Sequence, residues 1–183
     1  MKEKAVGLLE TKSVVQGLLA ADAMIKAARV ELLRAAPACP GKFITIIGGN
    51  IGAVASALEA GRRVAGVQLV DSILIGNLHP EVPAALAGTT SLPEAGALGI
   101  IETFTAAAAI TAADQAAKAA AVTLVEVRLA YGLGGKAFVL LTGDVAAVQA
   151  AVDTAAKYLA DQGTLVGTGV IPAPYRDLWQ RLA

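Results

Sequence analysis

Cys39 is the only cysteine among 183 residues, and it stands in the stretch Pro37-Ala38-Cys39-Pro40-Gly41-Lys42. A thiol invites disulfide or metal chemistry, but one thiol cannot close a bridge within its own chain, nor hold a metal by itself. Either it is incidental, or its partners come from other copies of the chain. The remaining candidates are weaker. "GGNIG" at 48–52 follows an apolar run and opens a helical pattern, as a phosphate-binding turn does. "GLGGK" at 132–136 lacks both the hydroxyl residue after its lysine and the spacing of a P-loop. His79 is the only histidine and has no second histidine or evident acid to complete a triad or a zinc set, so a structural or surface role is expected. Glu10 and Glu102, each followed by Thr, suit strand-end glutamates that bond backbone. No Ser/His/Asp set and no working carboxylate pair can be assembled, and the chain is not expected to be an enzyme.

Composition narrows the classes further. Fifteen basic and fifteen acidic residues cancel, so no net field recruits nucleic acid or an anionic membrane, and neither is expected as a partner. Hydrophobic residues make up 56% of the chain, charged residues 16%, and the mean hydropathy is +0.63. Membrane insertion and burial within an assembly would both explain that. The most apolar window, "FTAAAAITAADQAAKAAAVTLV", is alanine-rich and carries Asp114 and Lys118 four residues apart, a spacing for a water-facing helix stripe that lipid penalises. Glu10 interrupts the apolar part of the N-terminal stretch, which does not read as a signal peptide. A cytosolic, multimeric protein is expected, and a single cysteine suits a reducing compartment.

The elements that must carry these residues come in two sets. "AVGLLET" at 5–11 returns as "ALGIIET" at 97–103, and "AADAMIKAARVELL" at 20–33 as "AADQAAKAAAVTLV" at 112–125, both at an offset of 92. "GKFITIIGGNIGAV" at 41–54 returns as "GKAFVLLTGDVAAV" at 135–148, at an offset of 94. "NLHPEV" at 77–82 is matched to "GVIPAP" at 169–174, which pairs His79 with Ile171. Two domains, 1–92 and 93–183, are therefore expected, with two extra residues in the second copy's loop where the first has Cys39. Each copy reads as strand, helix, strand, strand, helix, strand, with Asn50 and Asp144 as helix N-caps. That order predicts an α+β module of the ferredoxin-like kind, an antiparallel sheet with helices on one face. In the second copy Thr142 and Ala146 replace Gly48 and Gly52, so "GGNIG" is better read as a strand-to-helix turn than as a nucleotide loop. Lys26 and Lys118 share one place on an alanine-rich helix, which suits either a solvated charge or an edge contact between packed neighbours.

These residues resemble a known family. The strands "GLLET" and "GIIET", the helices "AADAMIKAA" and "AADQAAKAA", and the stretches "GKFITIIGGNIGAV" and "GGKAFVLLTGDVAAV" are similar to the bacterial microcompartment (BMC) shell domain, twice over and in its unpermuted strand order. A tandem pair with a lone cysteine before "PGKF" looks most like the propanediol-utilisation type. The resemblance implies a homotrimer imitating the hexamer of single-domain tiles, packed with other BMC shell proteins in the shell of a cytoplasmic microcompartment. It implies that the loop between the second and third strands lines a pore on the symmetry axis. Here that loop comprises Ala38, Cys39, Pro40 and Gly41 in one copy and Gly132, Leu133, Gly134 and Gly135 in the other. It further implies that Cys39 is a metal ligand, three Cys39 thiolates of one trimer holding a single 4Fe–4S cluster, and that Lys26 and Lys118 pack along tile edges. Three thiolates would satisfy most of a cluster's usual four-cysteine ligation, leaving one iron to another ligand. Electron transfer or cluster passage across the shell, with a luminal or cytosolic redox enzyme as partner, would follow. A purely structural tile whose pore passes a small metabolite is the alternative, and a nucleotide-binding regulatory trimer the third reading.

Overall fold

The computed structural model describes residues 5–91, 94 and 96–182. The expected boundary between residues 92 and 93 lies outside them. The first repeat forms β1 (Ala5–Thr11), α1 (Val14–Ala27), β2 (Glu31–Ala38), β3 (Lys42–Gly49), α2 (Ile51–Ala65) and β4 (Leu69–Ile75), followed by a short helix α3 (Val82–Ala87). The second forms β5 (Ala97–Thr103), α4 (Ala106–Ala119), β6 (Val122–Leu129), β7 (Ala137–Gly143), α5 (Val145–Asp161) and β8 (Leu165–Ile171), followed by α6 (Arg176–Leu182). Each set makes a four-stranded antiparallel sheet, in the order β2-β3-β1-β4 and β6-β7-β5-β8. This is the α+β, ferredoxin-like arrangement expected. No helix among the described residues is long and apolar enough to cross a membrane.

Alternation along β1 sorts its two faces. Ala5 and Leu9 join Ala20, Met24, Ile47, Val54, Ala57 and Leu58 in a core between the sheet and its two helices. Small residues let α1 and α2 lie close, and the two repeats solve the packing differently. A Cβ on Gly17 would lie 2.4 Å from Cβ of Phe43, and one on Gly61 would lie 2.6 Å from Cγ of Met24. The matching positions of the second repeat are Ala109 with Ala137, and Ala155 with Ala116. Where the first repeat sets a glycine against a large side chain, the second thus sets two alanines against each other, so both keep the close approach with different side chains.

The register corrects one alignment. Val6 pairs with Ile75 and Leu98 with Ile171, so Ile171 corresponds to Ile75, not to His79, and the offset at the closing strand is 96. On that register His79 corresponds to Tyr175. The shift arises because α5 is longer than α2, 17 residues against 15.

The caps differ too. The Asn50 side chain accepts the Gly52 N–H at 3.0 Å, whereas Asp144 occupies the cap position without a side-chain cap bond. α3 and α6 were not expected from the sequence. α3 has Pro83 in its first turn and ends on Gly88 in the left-handed conformation (φ 65°), whose N–H closes on carbonyls of the last turn.

By contacts the chain divides into two compact units: Met1–Leu78 with Thr105–Ala107 and Ala130–Gly135, and His79–Phe104 with Ala108–Leu129 and Lys136–Ala183. The first unit therefore includes the opening turn of α4 and the β6–β7 loop.

Candidate functional site: the paired loops

Two loops lie side by side in the first unit. β2 and β3 are joined through Cys39, Pro40 and Gly41, and the segment 130–135 follows β6. Cys39 is half-buried and its thiol is free. Its N–H donates to the carbonyl of Ala130 at 3.0 Å, which fixes the backbone that carries the thiol. The Cys39–Pro40 bond is cis, and Gly41 follows at φ 81°, a left-handed conformation that strongly favours glycine. Ala38, the last residue of β2, is buried.

The second loop is threaded by left-handed backbone: Ala130 (φ 47°), Gly132 (φ 71°), Gly134 (φ 60°) and Gly135 (φ 91°). Gly135 also has no room for a side chain, since a Cβ there would lie 2.9 Å from Cδ of Pro40 and 3.2 Å from the Cys39 carbonyl oxygen. The two loops are in van der Waals contact at the thiol-bearing residue. Arg34, on β2, fastens the other side: its Nε donates to the Tyr131 hydroxyl at 3.1 Å and its guanidinium stacks 4.7 Å from the ring centroid. Six of the seven loop positions picked from the sequence besides Cys39 fall in these two segments, and the seventh, Ala38, ends β2; Leu133 is half-buried and Gly132 and Gly134 are exposed.

Beneath the loops is an ion pair that sequence reading missed. Glu10 is fully buried at the end of β1. Its Oε1 accepts from Lys42 Nζ at 2.8 Å, and its Oε2 accepts the N–H of Ala106, the first residue of α4, at 2.9 Å. Lys42 Nζ also donates to the carbonyl of Gly135 at 3.2 Å. One lysine thus ties the first loop's base, a buried carboxylate and the second loop together. Burial pushes the Glu10 carboxyl above its ordinary value, and Lys42 and the Ala106 amide pull it back only in part. Recurrence of both partners, as Glu102 with Lys136, was the signal available in the sequence. Those two also form an ion pair, but a half-exposed one.

The other candidates lie elsewhere. Lys26 bonds Asp22 at 2.6 Å, and both are well exposed. Lys118 bonds Asp114 at 2.6 Å, but Asp114 is buried, contrary to the water-facing stripe expected of that pair. The reason is a second partner: Asp114 Oδ1 accepts the His79 N–H at 2.8 Å. Glu81 accepts the Leu124 N–H at 2.8 Å, at the bulge where β6 shifts register against β7. In "GGNIG", the Asn50 side chain already occupies the Gly52 amide that a phosphate would need.

The site's donor set is one thiol per chain. Among the described residues no group of three or more Cys, His, Asp or Glu side chains could hold a metal. The thiol at a loop tip, with its backbone fixed and its residue only partly buried, fits a shared site in which each copy supplies one ligand. It does not fit a site built by one chain.

Comparison with known proteins gives the following. The family model for the BMC domain matches residues 5–78 and 97–174. The chain is 44% identical, over 98% of its length and 97% of the other's, to the bacterial microcompartment shell protein PduT of Citrobacter freundii. It is 38% identical to the carboxysome shell protein CsoS1C of Hydrogenovibrio crunogenus, over 49% of this chain and 91% of that one. Among solved structures, a microcompartment protein of Desulfitobacterium hafniense superposes with a TM-score of 0.88 at 46% identity, covering 97% and 99% of the two chains.

Proposed function

The chain belongs to the BMC-domain family as a tandem pair, and from that premise we propose that three copies form a pseudohexameric tile of a microcompartment shell facet. The observation that carries the multimer is an inequality between matching helices. In α4, Ala106, Ala107, Ile110, Thr111 and Ala117 are all buried. Their counterparts in α1, Val14, Val15, Leu18, Leu19 and Ile25, are all exposed, Val15 by 68% and Leu18 and Leu19 by 54%. An apolar face of this size on one repeat, already buried in the other, marks a surface that assembly covers. The shell of a bacterial microcompartment is its location, and other shell proteins are its neighbours. Lys26 and Lys118 serve the tile edges.

The paired loops then line the pore. Three Cys39 thiolates, one from each copy, would hold one 4Fe–4S cluster, with the Ala130 carbonyl fixing each thiol's backbone and Lys42 tying the glycine loop to Glu10 beneath it. When bound, such a cluster supplies one-electron chemistry, for which a luminal or cytosolic redox enzyme would be the partner. No catalytic role is assigned to the chain itself. The alternative tile, a metal-free pore for a small metabolite, has the same architecture and is separated from the first by iron content alone. Native mass spectrometry of the purified protein should find a species of three chains, and electron microscopy should find flat layers. A chain that stays monomeric at micromolar concentration would remove the tile reading.

A further inference from the structure

We propose that the Glu102–Lys136 pair is half of an intersubunit lock, completed by the N-terminus of α1 of a second copy of this chain. This rests on the trimeric-tile reading and adds the residues that make its contact specific. In the first repeat the corresponding pair is complete. Glu10 has Lys42 on one oxygen and the N–H of Ala106, at the start of α4, on the other. It is fully buried, as are Leu8 and Ile44 on the same face of the sheet, and Val6 and Ile46 beside them are nearly so.

In the second repeat the same construction lacks that amide. Glu102 pairs with Lys136, but the side chains are 38% and 44% exposed. Ile100 and Phe138, which match Leu8 and Ile44, are only partly buried. Between them and Leu140, Ile171 and Leu178 an apolar cavity of about 300 Å³ opens beside Glu102. What the second repeat lacks is the start of an apolar helix. The helix matching α4 is α1, and the residue matching Ala106 is Val14. Its amide and that of Val15 open the helix and have no intrahelical acceptor. Ser13 spends its side chain on the Gln16 N–H, not on either of them.

The fit is one of charge as well as shape. A carboxylate facing a helix N-terminus is stabilised by the first-turn amides and the dipole. The exposed Val14, Val15 and Leu18 would enter the apolar cavity, whereas their counterparts Ala106 and Ala107 in the first unit are already buried. By the same match, Lys136 would reach the carbonyl of Gly41 in the second copy, as Lys42 reaches that of Gly135. The lock thereby places the thiol loop of one copy against the glycine loop of the next.

The test compares wild-type protein with Glu102→Ala and Leu18→Glu by native mass spectrometry across a dilution series, with hydrogen exchange read at Val14 and Val15. Both positions are at least partly exposed within one chain, so folded monomers are expected, with unchanged circular dichroism. Glu102→Ala strands Lys136 and the helix amides, and should weaken trimerisation by roughly 100-fold or more. It should also remove the protection of the Val14 and Val15 amides at concentrations where wild type retains it. Leu18→Glu should yield monomer. A trimer of undiminished affinity with Val14 and Val15 still protected in Glu102→Ala overturns the lock but leaves the tile standing. A wild-type chain that never trimerises overturns both.

Discussion

Lys42 Nζ lies 2.8 Å from Oε1 of Glu10, a carboxylate with no exposed surface, and the same ammonium reaches the Gly135 carbonyl at 3.2 Å. This single side chain joins the base of the thiol loop to the glycine loop. Replacing it by Met leaves Glu10 buried without a counter-charge, which should cost about 3–5 kcal/mol near neutral pH.

The pH dependence follows from the raised Glu10 carboxyl. Between the unfolded value of 4.5 and the higher folded one, the native state holds more proton than the unfolded state, so this group's contribution falls as pH rises through that window. Lys42→Met moves the folded value higher still. Its penalty should therefore shrink as pH is lowered through the folded value, because protonated Glu10 needs no partner. Urea unfolding at one protein concentration and a series of pH values measures this; a penalty independent of pH would contradict it.

Cys39→Ser should lose iron and keep its assembly state. Protein reconstituted with iron and sulfide without oxygen should be brown and hold one cluster per three chains, while the serine variant should be colourless and still of three chains. A serine variant that retains the iron rules out Cys39 as the ligand, and wild-type protein with no iron favours the metal-free tile.

Gly17→Ala sets a methyl against Phe43 and should destabilise by about 1–3 kcal/mol. Phe43→Ala alone opens a cavity at a cost of about 3–5 kcal/mol. Together they reproduce the Ala109–Ala137 pair of the second repeat. The double variant should then be more stable than the summed singles by at least about 1 kcal/mol, and a strictly additive cycle would show that the two residues do not share a volume.

Lys26→Ala breaks an exposed pair worth no more than about 0.5 kcal/mol, so the melting of the isolated tile should barely move. Flat layers seen by electron microscopy should nonetheless be lost or much smaller, because the position is assigned to the edge. Layers of normal extent from this variant would return Lys26 to the role of a solvated charge.

The sequence made the sheets and their four long helices readable because period-2 and helical patterns recur in both repeats, and an error in one copy is checked by the other. α3 and α6 escaped because each is about two turns long and is stabilised by what it touches; Trp179 of α6, for example, is held against Leu98, Val125 and Leu140. The match of His79 to Ile171 failed for a different reason. Two residues added within α5 leave no trace in a local pattern and emerge only as the ladder register of Leu98 with Ile171. Asp114 looked like a surface charge because its spacing to Lys118 is a surface spacing, while the bond that buries it comes from His79, 35 residues away. The loops carrying Cys39 and Gly132–Gly135 could be picked out individually from proline, glycine and cysteine. That Pro40 lies against Gly135, and Cys39 against Ala130, is a fact of tertiary structure alone.

The exchanged packing pairs have a consequence for how such a gene can change. A duplicated gene is open to recombination between its halves, which tends to make the copies identical. Here a crossover falling between the codons for Gly17 and Phe43 would join a glycine to Ala137 or an alanine to Phe43, leaving a void in one product and a collision in the other. The same holds for Gly61 and Met24. Packing partners set far apart in the chain thus act against exchanges whose ends fall between them.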